Sequence, residues 1–547
     1  MKYGKRIVLF TLFAMNLVEQ PTPYITIEQG TLSGRISEDG SIFEYMGIPY
    51  ATSNIKTRFK APLPPPKWEG IYKAIDEMYV CPQPFLLNTI VGKEDCLKLH
   101  IYVPAKTKGP LPVMVYIHGG AFYLGNAGKH FYGPEFLVKH DIILVIINYR
   151  LGILGFTCLG IEEAPGNAGL KDQIAALRWV KKNIAAFGGD PDNITLFGES
   201  AGAASISILL LNDVTLGLFN RVILQSGSSL TSWTTNRQAV WVASLLVKSL
   251  GHNTEDPNEI YKILHKLSYR DIIKLKPDKP LGMFSDAPML GLPCVEKPGI
   301  PGNEPVLVDL PYNLLMKNRR NISVIHGSMT REGFIVISGE TDISIENWNQ
   351  KYLFPSDLAF ETDNEANKTS SKIREFYFGE DRISRNNIMK LEKMCTELYF
   401  QFPTTLEADI MVSSWNVPVY SYIFNYSGSR NIIKKAAGFC NETGAGHGDD
   451  ILYFFKSRVW PFSVARKDRE VIEWLTRMWT NFAKYGYPTP LRDSRVPVKW
   501  PPGEKDALKY LYIDDVFRIG PMPNPDSYVL WKEIYDKYRR MDLNYYY

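Results

Sequence analysis

The chain has 547 residues, 45% of them hydrophobic and 22% charged, and its 62 Lys and Arg against 58 Asp and Glu leave a net charge of +4. These are globular proportions, sufficient for a large buried core. The near balance of charge, without a basic block interleaved with aromatics, speaks against a surface that follows a phosphate backbone, so no nucleic-acid partner is expected.

In chain order, Lys2, Lys5 and Arg6 precede an apolar run over residues 7–18, followed by Glu19-Gln20-Pro21. The run is short for a bilayer span, and its layout predicts a secretory leader over residues 1–20 ahead of a single domain over 21–547, with no integral membrane segment. The alternative is an ordinary domain edge on a cytoplasmic chain. Sequons at Asn193, Asn321, Asn367, Asn425 and Asn441 are compatible with secretion, although Asn193 enters a strand and Asn441 adjoins a glycine-rich loop, where a glycan meets crowding. Six cysteines stand at Cys81, Cys96, Cys158, Cys294, Cys395 and Cys440. No Cys-x-x-Cys pair or Cys/His spacing suits zinc, so neither a structural metal nor a cofactor is expected. Cys81 and Cys96 bracket a short loop and are either bridged in an oxidising compartment or left as two buried thiols. The other four show no evident pairing.

Residues 24–27 and 42–45 read as strands, followed by the proline-rich turn 62–66. The runs 113–117 and 142–147 are continuously apolar, as strands covered on both faces must be, and predict the centre of a parallel sheet. Leu170, Ile174, Leu177, Val180, Ile184 and Phe187 recur at helical spacing, and Gly188-Gly189 ends that helix. Strands are expected at 193–197, 222–224, 323–325 and 419–424, with helices at 203–211, 239–250, 474–482 and 531–538. The alternation predicts one large α/β domain. Segments 256–320 and 340–407 read as insertions, of the kind that form a lid or cavity wall.

Between the strand at 193–197 and the helix after it stands Gly198-Glu199-Ser200-Ala201-Gly202. A strand reversing directly into a helix crowds its neighbours, and glycines on both sides leave room for a serine in strained geometry with its hydroxyl lifted clear. A serine needs a histidine to take its proton and an acid to hold that histidine. His447, within Gly444-Ala445-Gly446-His447-Gly448-Asp449-Asp450, has a setting that suits this role; His252, His265 and His326 read as surface or core residues. Glu332 follows the strand at 323–325, and the order Ser200, Glu332, His447 is that of an α/β-hydrolase. The stretch His118-Gly119-Gly120-Ala121-Phe122 follows a strand directly, and the N–H groups of Gly120 and Ala121, with that of Ala201, are the expected oxyanion donors.

With these segments in place, the chain resembles the type-B carboxylesterases of the cholinesterase and carboxylesterase family over nearly its whole length, most of all those of insects. The resemblance extends to Tyr45-Met46-Gly47-Ile48-Pro49-Tyr50-Ala51, Arg58-Phe59, Glu94-Asp95-Cys96-Leu97, Asn148-Tyr149-Arg150-Leu151-Gly152 and Gly166-Asn167-Ala168-Gly169-Leu170-Lys171-Asp172-Gln173. It implies an α/β-hydrolase fold, a mixed and mostly parallel central sheet flanked by helices, with insertions forming a gorge. It also implies cofactor-free hydrolysis of small to medium apolar esters of xenobiotic, odorant or pheromone type. Ion pairs Arg58–Glu94 and Arg150–Asp172, a Cys81–Cys96 bridge, Trp233 at the acyl pocket and Ser226 beside the triad follow from it as well, with Glu199 and Phe122 completing the substrate-binding set. Residues 82–95 lack the tryptophan that cholinesterases use for choline, and Glu199 stands where juvenile hormone esterases tend to have Gln. His252 replaces a cysteine of the second disulfide common in the family, which weakens the expectation of secretion. The competing readings are a catalytically slow ester or organophosphate scavenger and a non-enzymatic binding or adhesion protein on the same fold.

Overall fold

The computed structural model describes residues 20–85, 89–276, 291–459, 464–490, 493 and 495–543. The expected leader, Gln20 apart, lies outside the described residues.

Among the described residues eleven strands form the main sheet: β1 (Arg35–Ile36), β2 (Ile42–Pro49), β3 (Lys98–Pro104), β4 (Leu111–Ile117), β5 (Ile143–Ile147), β6 (Gly189–Glu199), β7 (Arg221–Gln225), β8 (Ser323–Met329), β9 (Val419–Phe424), β10 (Tyr510–Ile513) and β11 (Arg518–Gly520). Their spatial order is β11-β10-β9-β8-β7-β6-β4-β5-β3-β2-β1. From β5 through β10 every neighbouring pair is parallel. The pairs at both margins are antiparallel. The expected mixed, mostly parallel sheet is therefore present.

The apolar runs explain why the sheet is covered on both sides. In β4, Val113, Val115 and Ile117 face one core while Met114 and Tyr116 face the other; β5 divides the same way, with Ile143, Val145 and Ile147 opposite Leu144 and Ile146. On the first face lie helix α1 (Ala168–Asn183), helix α2 (Ala201–Leu210) and helix α3 (Phe402–Ile410). The second is covered by helix α4 (Arg466–Tyr485), whose Val471, Leu475, Met478, Trp479 and Phe482 are buried against it. Helix α5 (Pro525–Tyr538) returns to the first face through Trp531 and Ile534.

Several boundaries move. The helix expected to reach residue 187 turns into a 3-10 turn at Ile184–Phe187, closed by Gly188 at φ 82°. Helix α2 begins directly after Ser200 rather than at residue 203, because the serine itself makes the turn. Both inserted segments contain helices, among them Pro257–Lys266 and Asp363–Phe378.

Two bridges are formed, Cys81–Cys96 and Cys158–Cys294. The second joins two cysteines for which the sequence shows no evident pairing: 136 positions apart, Cys158 and Cys294 meet because the loop after residue 156 and the segment after residue 291 pack together. Asn167 stitches the same contact, donating to the Cys294 carbonyl at 2.8 Å and accepting from its N–H at 2.9 Å. Cys395 is buried and Cys440 exposed, both unbridged. The ion pairs Arg58–Glu94 and Arg150–Asp172 are in place at 2.6 Å each. Asn441 is exposed, whereas Asn193 is half-buried and accepts from Arg221.

Candidate active site

Ser200 stands where β6 becomes α2, with φ 56° and ψ −125°. For a residue bearing a Cβ that backbone is strained, and two contacts hold it: the Ser200 N–H donates to the Gln225 carbonyl at 2.8 Å, and its own carbonyl accepts from Ala204 at 2.9 Å. The flanking glycines are required by close approach. A Cβ on Gly202 would lie 2.0 Å from the Ile117 carbonyl oxygen, and one on Gly198 2.7 Å from it.

His447 Nε2 lies 2.8 Å from Ser200 Oγ, and His447 Nδ1 lies 2.7 Å from Glu332 Oε2. The remaining oxygen of Glu332 accepts the Met329 N–H at 2.7 Å, which fixes the carboxylate. All three residues are buried, with Ser200 at 8% and His447 at 7% exposure, so the reacting edge is recessed but open. The loops carrying the acid and the histidine are stitched together: Arg331 N donates to Ala445 O at 2.9 Å, and Ala445 N to Thr330 Oγ1 at 3.1 Å. Beneath them the Lys434 ammonium donates to the carbonyls of Glu442 and Gly444 at 2.8 and 2.6 Å.

Gly119 lies against the nucleophile, since a Cβ there would come within 2.6 Å of the Glu199 carbonyl and 3.0 Å of Ser200 Cβ. Gly120, Ala121 and Phe122 follow with φ of 109°, 55° and 60°, a left-handed turn closed by the Tyr123 and Leu124 N–H groups on the Gly120 carbonyl. Among the described residues the Gly120 and Ala121 N–H groups have no protein acceptor, and that of Ala201, first in its helix, has none within the helix. The Phe122 ring is fully buried and packs edge-on against Phe156 at 5.2 Å, which gives it a place in the core. Trp233 donates its indole N–H to the Tyr399 carbonyl at 3.2 Å and packs at 5.8 Å on Phe400.

Two further carboxylates shape the electrostatics. Glu199 Oε1 approaches His447 Nε2 to 3.3 Å. Burial, with the Glu332 charge adding to it and His447 opposing, pushes Glu199 up to about 7. Burial alone would pull His447 down; the charge of Glu199, the hydrogen bond and charge of Glu332 and the charge of Asp450 outweigh it and hold the imidazole up to about 9. Asp450, fully buried and accepting from Gln225 Nε2 at 2.6 Å, is driven up to about 8 by burial and then by Glu199. Ser226, also buried, has φ 55°.

The sequence assigned no role to Asp450 or Phe400. Asp450 had a faint signal, a second carboxylate directly after the histidine loop. Phe400, whose ring lies 4.9 Å from that of His447, had none, because it arrives from an insertion.

Residues 21–531 match the carboxylesterase family. The chain is 32% identical to esterase FE4 of Myzus persicae over 93% of its own length and 90% of that protein's. It is also 32% identical to juvenile hormone esterase of Heliothis virescens over 85% of each chain. Among solved structures, the juvenile hormone esterase of Manduca sexta with OTFP covalently attached superposes with a TM-score of 0.82 at 30% identity, covering 94% of this chain and all of that one. A PNB esterase superposes at 0.74 with 27% identity, over 94% and 99% of the two chains.

Proposed function

Because the chain belongs to the carboxylesterase family and is a carboxylic ester hydrolase, we propose that Ser200, His447 and Glu332 carry the reaction through an acyl-enzyme. The observation that carries the proposal is the unbroken chain of hydrogen bonds from Ser200 Oγ to Glu332. Ser200 Oγ attacks the ester carbonyl carbon while its proton passes to His447 Nε2; Glu332 holds Nδ1–H and balances the imidazolium. The N–H groups of Gly120, Ala121 and Ala201 receive the oxyanion. Collapse breaks the bond to the alcohol oxygen, which takes the proton from Nε2. Water then attacks the acyl carbon, His447 again accepts a proton, and the acid leaves as Ser200 is restored.

The aromatic wall of Trp233 and Phe400 beside His447 supports small to medium apolar esters as substrates, of xenobiotic, odorant or pheromone type. Equal identity to the aphid esterase and to a juvenile hormone esterase gives no preference between those two. Two disulfides support passage through an oxidising compartment, hence secretion, and among the described residues no helix is long and apolar enough to cross a membrane.

Ser200→Ala tests the mechanism. Steady-state hydrolysis of p-nitrophenyl acetate falls by about 10⁴-fold or more. Wild-type turnover in that variant rejects the assignment, and a stoichiometric burst without turnover in the wild type makes the protein a scavenger.

A further inference from the structure

Away from the triad, a second cluster of serine, carboxylate and histidine is buried on the α1–α2 face of the sheet. Glu407, on α3, is fully buried. Its Oε1 accepts from Ser207 Oγ on α2, and its Oε2 lies 2.9 Å from His326 Nε2 on β8. A carboxylate can only accept, so Nε2 carries the proton on that edge. Ser207 Oγ in turn accepts the Ser229 N–H at 2.9 Å. Thr234 Oγ1 closes the same loop on the Ser229 carbonyl at 3.0 Å.

The three side chains come from elements that each bear a part of the site. Ser207 is two turns along the helix that Ser200 opens. His326 is six positions before Glu332 on the strand that delivers it. Ser229 belongs to the loop that bears Trp233. Glu407 sits on the helix that continues, without a loop, from the turn Glu397–Gln401 bearing Tyr399 and Phe400. Those two walls face each other: the Trp233 indole bonds the Tyr399 carbonyl, and Phe400 lies between Trp233 and His447.

Apolar side chains would pack these elements at lower cost, since burying a carboxylate is expensive unless its lone pairs are matched. What a hydrogen-bonded carboxylate supplies, and an apolar contact does not, is a fixed distance between its partners. We propose that Glu407 is a positioning residue that sets the separation of the Trp233 loop from the Phe400 helix, and through it the acyl-chain selectivity of the enzyme. The proposal rests on the esterase reading above.

The test compares kcat and KM for p-nitrophenyl acetate, butyrate and hexanoate in the wild type and in Ser207→Ala, Glu407→Leu and Glu407→Gln, with active sites titrated by a fluorophosphonate. Displacing a wall by a fraction of an ångström shifts the acetate-to-hexanoate ratio of kcat/KM by about tenfold in Glu407→Leu. Ser207→Ala, which cuts only the Ser229 arm, moves the ratio in the same direction by less. Glu407→Gln retains the shape and one acceptor and stays within about threefold of the wild type. With acetate fixed and the alcohol varied, all variants keep the wild-type ratios. A role confined to stability lowers every substrate equally, or lowers only the titrated fraction, and overturns the proposal, as do unchanged acyl ratios. Should Glu407→Leu fail to fold, Ser207→Ala decides by the same criterion. A wild type that hydrolyses no ester overturns the esterase reading and this one with it.

Discussion

Glu199 stands between a glycine and the nucleophile, and its charge acts on the base rather than on the substrate. An imidazolium is no base, so kcat/KM follows the neutral fraction of His447 and climbs as the pH rises toward about 9. Glu199 ionises around 7, so it holds the imidazole protonated only above that pH. Glu199→Gln removes the charge that does most to stabilise the imidazolium, and the acid limb moves toward lower pH. Between pH 7 and 9 the normalised profile of the variant therefore lies closer to its plateau than that of the wild type, and the two merge below 7. A pH series of kcat/KM on p-nitrophenyl acetate measures this; an unmoved limb means that Glu332 and Asp450 alone set the imidazole. At this scale the sequence offered Ser200 and His447 through the glycines around them, and Glu332 through its place after a strand and the chain order of the three. Phe400 was not legible and Asp450 only faintly so, since their importance lies in what they approach through space.

The turn from β6 into α2 depends on the end of β4, a neighbour in the sheet though Ile117 stands 81 positions before Gly198 in the chain. Ile117 contributes the carbonyl that both Gly198 and Gly202 must clear. Gly202→Ala drives a Cβ to 2.0 Å from that oxygen, and backbone cannot give way as a side-chain tip would. We expect a loss of more than about 2 kcal/mol in a denaturant titration, together with a fall in the fraction of Ser200 that a fluorophosphonate labels. Strands and helices with a clean period were read correctly in type: β9 and the cores of β4, β5 and β8 were expected where they are. The ends were less legible, because an end is set by the neighbour that caps or turns it. The helix at residue 168 starts on Asn167 in a left-handed conformation, whose side chain is held by Cys294 and Glu296 more than a hundred positions away.

Over the whole molecule, the bridge Cys158–Cys294 ties the loop after residue 156 to the segment after residue 291. It closes a span of 136 positions, so it removes more freedom from the unfolded chain than the Cys81–Cys96 loop of 15 does. The double variant Cys158→Ser/Cys294→Ser is expected to lose about 2–5 kcal/mol by denaturant midpoint, and an unchanged midpoint means the packing of Asn167 and Glu296 already holds the segment. The class of the fold was determined by the sequence alone, because continuous apolar strands alternating with amphipathic helices have few ways to bury both faces of a sheet. The candidate nucleophile was legible with it, because a strained serine needs glycines beside it in the chain. The Cys158–Cys294 pairing, the cluster of Ser207, His326 and Glu407 and the aromatic wall of Trp233 and Phe400 were decided only by tertiary structure. Their partners lie between 81 and 200 positions apart, and the distances that matter are those between elements that the sheet brings together after it has formed.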